Sequence, residues 1–372
     1  MTAQGANATP AGAASQVKRV LMVKSHSLGV GDLLRSSAAW RAMKTRWPGV
    51  DLHLLFLSQH PAYVAEELIR EHHLLTSATF LTIRAGSPHR ALGRRTPHRL
   101  LMAQVRELSA RLRPDWVIDF ESSGLRSTLV TRCAARAARA QSVGIAQFPG
   151  RGLFYSLAAP SSSHYAQRHG LTLPMDYAER DFVALAALGI ERHGTPIELE
   201  LSSQAVRYRQ DLAGRLPTGQ KLIGLNIGCG TPDAMHKRPN MAHLVECLGV
   251  ALQGVAHTLA LTGAAFEHDV NREFIAAYAS RWGDVSHILD LAGATSLTTL
   301  AGVIDLCDVF VSTDSGPYHM SVALRKPTLV WFTYAEVTSF HRHPWCRRLI
   351  QPSSGEFKAS LHEAMSSCLQ AA

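Results

Sequence analysis

Asp314-Ser315-Gly316-Pro317-Tyr318-His319 follows the apolar run Val309-Phe310-Val311 and precedes a second one, Thr328-Leu329-Val330-Trp331-Phe332. The spacing predicts a buried strand, a tight turn that opens a helix, and the next parallel strand. Such a turn leaves backbone N–H groups unpaired at Ser315, Gly316 and the start of the helix, where the helix dipole adds positive potential. It therefore suits a phosphate. Asp314 and His319 flank this N–H cluster; His319 could donate to a phosphate or be a partly buried histidine held by a carbonyl, and residue type does not choose. Asn226-Ile227-Gly228-Cys229-Gly230-Thr231, followed by His236-Lys237-Arg238-Pro239, is a second strand end of this kind. Its N–H groups and Thr231 could hold a diphosphate, with Lys237 or Arg238 adding charge. Glu267, after Leu261-Thr262-Gly263, could accept hydrogen bonds from ribose hydroxyls, although an exposed loop carboxylate is the commoner case.

The remaining chemical constellation lies near the start of the chain, in Lys24-Ser25-His26-Ser27-Leu28-Gly29-Val30-Gly31-Asp32. Asp32 has two readings. It could be a helix cap or first-turn acid, which spacing alone favours. It could instead be a general base aimed at whatever binds above the strand. A dinucleotide fingerprint needs a third glycine and an acid about twenty residues on. Gly29-Val30-Gly31-Asp32-Leu33-Leu34 has no third glycine and the following strand ends at Ser58-Gln59, so a nicotinamide or flavin site is not expected. The nineteen histidines include no H-E-x-x-H and no Cys/His cluster with zinc spacing, and no Asp-x-Asp pair is present to hold a cation between phosphates. No metal and no cofactor is expected.

The elements that must position these residues alternate between strand and helix in both halves. Val20 to Val23, a helix from Asp32 to Arg46 stopped at Pro48-Gly49, and Leu52 to Leu57 make one βαβ unit. Leu101, Val105, Leu108 and Leu112 form a helical stripe, followed by the strand Trp116 to Phe120 and a helix from Leu125 to Ala140. Between Ala140 and Tyr177 the pattern dissolves, and a helix from Tyr177 to Leu188 follows. The second half repeats the rhythm: strand Leu222 to Ile227, helix near Met241 to Leu252, strand His257 to Leu261, helix Asn271 to Tyr278, strand Val285 to Leu289, helix Leu297 to Ile304. Repeated alternation builds parallel sheets covered on both faces. The expected class is α/β, two doubly wound Rossmann-like domains facing a central cleft. The divisions are a disordered tail over 1–16, an N-terminal domain over 17–190, a linker over 191–203, a C-terminal domain over 204–350, and a last helical segment over 351–372.

Composition agrees with an ordinary globular protein: 372 residues, 46% hydrophobic and 18% charged. No apolar run of eighteen residues appears, and the Ala/Gly/Thr/Ser-rich opening lacks the apolar centre of a secretory signal. Six cysteines without a C-x-x-C pair suit a reducing cytoplasm. A formal charge of +9 would draw the protein to anionic partners, and the arginines of Arg84 to Arg99 and Arg126 to Arg139 lie in the first half. Solvated helix faces are an equally good reading of any one cluster.

The chain resembles the lipopolysaccharide heptosyltransferases of glycosyltransferase family nine. The resemblance runs through Gly31-Asp32-Leu33-Leu34-Arg35-Ser36 to Trp47-Pro48-Gly49, through Asp115-Trp116-Val117-Ile118-Asp119-Phe120 with Arg126-Ser127, and above all through Leu291-Ala292-Gly293-Ala294-Thr295-Ser296-Leu297 and Asp314 to His319 followed by Lys326-Pro327. It implies a GT-B fold and an inverting, metal-independent transfer of a heptose from an ADP-activated donor to a lipopolysaccharide-core or related acceptor. It implies Asp32 as general base, beside an acceptor-side loop with Ser27, Gly29 and Gly31. Lys237 matches the diphosphate-binding lysine, with Arg238 as the competing cation, and Glu267 the ribose-binding acid. Thr231, Thr295, Asp314, Ser315, Gly316 and His319 complete the nucleotide-sugar site. It also implies that the last helix returns to the N-terminal domain. The expected partners are a nucleotide sugar and an anionic lipid-linked glycan at the inner-membrane surface, with no nucleic acid. The expected place is the cytoplasm, peripheral to that membrane. The alternatives are a family member with another donor or acceptor, and a nucleotide-sugar-binding protein without turnover.

Overall fold

A computed structural model describes residues 17–25, 29–59, 63–83, 97–229 and 236–367. The tail over 1–16, Ser27 and Thr231, for which the sequence raised expectations, lie outside the described residues. The first half contains strands β1 (Arg19–Ser25), β2 (Asp51–Ser58), β3 (Ser77–Thr82), β4 (Trp116–Asp119), β5 (Gln141–Ile145), β6 (Leu157–Ala159) and β7 (Met175–Asp176). Its helices are α1 (Gly31–Leu34), α2 (Ser37–Arg46), α3 (Glu66–Arg70), α4 (His98–Leu112), α5 (Leu125–Ala138), α6 (Ser162–Arg168) and α7 (Glu179–Leu185). The second half contains β8 (Lys221–Asn226), β9 (His257–Thr262), β10 (Ile288–Asp290), β11 (Val309–Thr313), β12 (Thr328–Phe332), β13 (Ser339–Phe340) and β14 (Cys346–Ile350). With them come α8 (Ser203–Ala213), α9 (Met241–Leu252), α10 (His268–Trp282), α11 (Leu297–Leu306), α12 (Gly316–Ala323) and α13 (Ser354–Ser367).

Each half is a six-stranded parallel sheet, ordered β3-β2-β1-β4-β5-β6 in the first and β10-β9-β8-β11-β12-β14 in the second. The two orders are the same. Strands covered on both faces read as unbroken apolar runs, and Leu21, Met22, Val309 and Phe310 on the inner strands are wholly buried. The order reverses between β1 and β4 and again between β8 and β11, and a crevice opens at the carboxyl ends of the strands at such a switch. Both crevices belong to the turns that carry the candidate residues.

Three apolar clusters hold these layers. Leu21, Val23, Leu101, Val105, Val117 and Val130 fill the space under α4 and α5. Ile223, Leu225, Leu248, Phe274, Val311 and Trp331 do so under α9 and α10. The third runs without a break from Met22, Leu33 and Trp40 to Leu300, Tyr318 and Met320, so it joins the halves as well as filling each. Further ties cross the boundary: β7 pairs with β13, Arg342 N–H donates to Asp176 at 2.7 Å, and Leu199 N–H donates to the Ala323 carbonyl at 3.0 Å.

The structure differs from the sequence reading at several places, among them the strand expected over Val285 to Leu289, which is found at Ile288–Asp290. The single helix expected from Asp32 to Arg46 is broken at 35–36, where Ser37 Oγ takes the Leu34 carbonyl at 2.6 Å and Ser36 Oγ turns to Asp181 at 2.5 Å. The stretch 140–177 carries β5, β6, α6 and β7. Among the described residues the last helix packs on the second half rather than returning to the N-terminal domain: Phe357, Leu361 and Met365, spaced four apart, insert into that half's core against α9. His362 Nε2 meets the Ala251 carbonyl there at 2.8 Å.

Candidate active site

A cavity of about 570 Å³ opens between the two switch points. It gathers Gly29, Gly31 and Asp32 from the first half, and Lys237, Glu267, Thr295, Asp314, Ser315, Gly316 and His319 from the second. Arg238 is not among its described lining residues, and its Nε is buried without a hydrogen-bond partner among the described residues. Of the two adjacent cations, Lys237 is the one that faces the cleft. A second cavity, of about 510 Å³, is lined by Tyr208, Leu212, Pro217 and His287 and holds none of the candidate residues.

The turn after β11 is open to a ligand. Ser315 stands at the N-cap of α12 in extended conformation, but its side chain makes no capping bond. Its Oγ accepts instead from Asn226 Nδ2 at 3.1 Å and lies 3.2 Å from Ser312 Oγ. The N–H groups of Gly316 and Tyr318 are therefore left uncapped by it, and Pro317 has none to satisfy. Opposite, the loop before α1 approaches so closely that glycine is required on both sides. A Cβ on Gly31 would lie 2.1 Å from His319 Cδ2, and one on Gly316 would lie 2.8 Å from Val30 Cγ1.

Asp314 is buried beside this turn, and its carboxylate accepts from Lys237 Nζ at 2.7 Å, Tyr334 OH at 3.1 Å and Tyr177 OH at 3.2 Å. Burial works against its ionisation, but His319 in its protonated form, Lys237 and the Tyr334 hydroxyl outweigh that and hold the group below the usual carboxylate range. Glu267 is not the exposed loop acid that residue type favours; only 3% of it is accessible. Its Oε2 accepts from Ala264 N–H at 2.8 Å, and its carboxylate packs so tightly on Gly228 that a Cβ there would lie 1.7 Å from Oε1. Thr295 is half-buried just ahead of α11.

Asp32 does not cap α1, because Val30 occupies the N-cap. It lies in the first turn, 38% exposed at the cavity, with its carboxylate paired to the Arg35 guanidinium. Arg35 is desolvated, which opposes its charge, but Asp181 and Asp32 more than compensate and hold it charged. Beneath it, Asp181 accepts from Lys24 Nζ at 2.9 Å, a wholly buried ion pair under α1. Sequence reasoning missed Arg35, Lys24, Asp181, Tyr177 and Tyr334. Arg35 was within reach, since three residues on a helix place it over Asp32. Tyr177 was not, because it arrives from the other half of the molecule.

Two Rossmann-like domains of identical strand order, closing a phosphate-ready turn and a carboxylate over one cleft, define the GT-B class of architecture. The comparisons agree with this geometry. The family model for glycosyltransferase family 9 (heptosyltransferase) matches residues 106–370. Lipooligosaccharide heptosyltransferase 2 of Campylobacter jejuni is 27% identical over 161 residues, 43% of this chain and 46% of that protein. The match thus spans about half the length of that relative. Among solved structures, the ADP-heptose lps heptosyltransferase II of E. coli superposes with a TM-score of 0.64 at 17% identity, covering 94% of this chain and 99% of the other. The E. coli heptosyltransferase WaaC with ADP gives 0.63 at 20% identity, covering 93% and 99%. The chain belongs to glycosyltransferase family 9.

Proposed function

We propose that this protein is an inverting glycosyltransferase that moves a heptose from an ADP-activated donor to a lipopolysaccharide-core or related glycan acceptor. The observation that carries the reading is the pairing across one cavity of Asp32 from the first half with Lys237 and the uncapped start of α12 from the second. In this reading the diphosphate lies on the Gly316 and Tyr318 N–H groups with Lys237 beside it, and Glu267 accepts from the ribose. Asp32 takes the acceptor hydroxyl proton as that oxygen attacks the anomeric carbon, and the carbon–phosphate oxygen bond breaks on the opposite face. The cations and N–H groups stabilise the departing nucleoside diphosphate, so no metal or other cofactor need bridge its phosphates. Arg35 pairs with the Asp32 carboxylate until the acceptor arrives. It can then lean on Asp181, whose Oδ1 already lies 3.8 Å from its Nε.

The similar proteins support the donor and acceptor class: one structural neighbour holds ADP, and the relative matched over 161 residues is named for lipooligosaccharide. No helix among the described residues is long and apolar enough to cross a membrane. In this reading the lipid-linked acceptor is met at the cytoplasmic face of the inner membrane. The test is a mass-spectrometric screen of nucleotide sugars and truncated core glycans, run with the wild type and with Asp32→Asn. Heptose transfer that drops by roughly 10³-fold in the variant supports the reading. Transfer of a different sugar replaces the donor, and full activity in Asp32→Asn removes the base.

A further inference from the structure

His319 is joined to a buried chain of polar groups that the reaction as described does not use. Its Nδ1 lies 2.7 Å from His341 Nε2. His341 is wholly buried, its backbone N–H donates to Tyr318 OH at 2.8 Å, and its Nδ1 faces Asp176 Oδ1 at 3.9 Å with no closer hydrogen-bond partner among the described residues. Asp176 Oδ1 accepts from Ala178 N–H at 2.9 Å, and its Oδ2 accepts from Arg342 N–H and meets Arg192 at 3.1 Å. Asp176 belongs to the first half and His341 to the second. The chain therefore exists only where β7 and β13 bring the halves together.

The geometry decides where the protons go. The nearest polar atom to His341 Nδ1 among the described contacts is a carboxylate oxygen, so Nδ1 carries the ring proton and Nε2 is left as an acceptor. Among the described residues the fitting donor is His319 Nδ1–H. That leaves the Nε2 lone pair of a neutral His319 along the ring edge that abuts Gly31 and lines the cavity.

We propose that Asp176 and His341 are positioning residues that hold His319 in its Nδ1–H tautomer, so that its Nε2 takes up one proton when a nucleoside diphosphate enters. The proposal rests on the donor reading above. In the ligand-free protein burial and the neighbouring His341 keep His319 well below the usual histidine range, so it is neutral at pH 7. The other groups that face it are Asp32 and Arg35 from α1, Tyr177 beside β7, His341 beyond β13, and Asp314 and Tyr318 at the turn. An arriving diphosphate adds negative charge at Nε2. The imidazolium it favours can donate to phosphate from Nε2 and to His341 from Nδ1 at once.

Asp176, His341 and His343 also bring one donor atom each within 4.8 Å of the others. Arg192 already meets the Asp176 charge, which favours the proton chain over an ion.

Nitrogen-15 spectra of the ¹⁵N-histidine-labelled full chain, with His319 assigned from its loss in His319→Gln, report the tautomer without any activity. The expected result is Nδ1–H, reverting to Nε2–H in His341→Leu. In His341→Gln the amide oxygen accepts from His319 in place of the ring and keeps Nδ1–H. Turnover should follow, with kcat/KM for the donor down roughly 10–100-fold in His341→Leu and within about fivefold of wild type in His341→Gln. Calorimetry of ADP in two buffers of different ionisation enthalpy should show close to one more proton taken up by wild type than by His319→Gln. Wild-type His319 as Nε2–H overturns the proposal. So does His341→Gln failing as badly as His341→Leu, or stoichiometric zinc or iron by elemental analysis of purified protein. Failure of ADP to bind overturns the donor reading and the proton uptake with it, a result distinct from any of these.

Discussion

Gly31→Ala is the most demanding single change at this cleft, because it adds one methyl group where the two halves meet. The new Cβ would stand 2.1 Å from His319 Cδ2 and 2.4 Å from Nε2. The ring cannot swing aside. His341 holds its Nδ1 at 2.7 Å, and the rings of Tyr177 and Tyr318 pack against it at 5.1 and 4.9 Å between centroids. Relief to the 3.4 Å of ordinary contact therefore needs an opening of about 1.3 Å, shared between α1 and α12. Overpacking of this kind costs about 1–3 kcal/mol. The same opening separates Asp32 from the turn that would hold the leaving group, and a misplacement of about 1 Å can cost on the order of 10²-fold in turnover. The assay is steady-state transfer together with thermal melting, with Gly214→Ala as control. Gly214 has ordinary helical geometry and nothing nearer its added Cβ than 3.7 Å. The double variant with His319→Ala should melt above the sum of the two single losses, since shrinking the ring makes room. Wild-type turnover with an unchanged melting temperature in Gly31→Ala would falsify the claim that this contact sets the cleft.

Lys237→Ala should lower kcat/KM for the donor roughly 10²-fold, because one charge-assisted donor to the leaving diphosphate is lost, and a change below threefold excludes the lysine from that role. Tyr334→Phe removes one of the donors that share Asp314, so Lys237 is held harder by the carboxylate. The donor KM should rise about three- to tenfold with kcat little changed, and an unchanged KM counts against this competition. His72 is buried, with Nε2 donating to the Glu198 carbonyl at 2.9 Å and Nδ1 accepting from Leu74 N–H, and burial pushes it down to about 4. Its folded value lies below its unfolded value near 6.5, so its share of stability is present above pH 6.5 and is lost as pH falls towards 4. Between pH 7 and 5 that share is on the order of 2 kcal/mol, and denaturant unfolding of His72→Asn should show a correspondingly shallower fall than wild type.

The parts legible in the sequence are those where local signals coincide. Val309-Phe310-Val311 is an apolar run, Gly316-Pro317 opens a helix, and Lys326-Pro327 follows its end, so strand, turn and helix could be placed without tertiary information. α9 fell where its spacing predicts, between Met241 and Leu252. Edge elements were not legible. β6 has three residues and β7 two, too few to show a period of two, and they sit among glycine, proline and serine. The direction of α13 was not legible either. Phe357, Leu361 and Met365 make an apolar stripe that fits any apolar surface, and nothing in it says which half supplies one. At the site, the residue types were readable but their partners were not: Asp314 meets Tyr177 across 137 positions of sequence.

Those partners explain how a ligand-free cleft can keep its charges ready. Breaking a buried ion pair by removing one member costs about 3–5 kcal/mol, because the other charge is stranded. Lys237 leaving Asp314 for a diphosphate does not strand that carboxylate, since the hydroxyls of Tyr177 and Tyr334 remain on it. Arg35 releasing Asp32 is similarly not stranded, since Asp181 lies behind it. Each functional charge thus has a second partner, and sharing replaces breaking. One of those second partners, Tyr177, reaches Asp314 from the opposite half. The lysine is therefore released most cheaply while β7 and β13 hold the halves together, which would make the closed arrangement part of the proposed donor site.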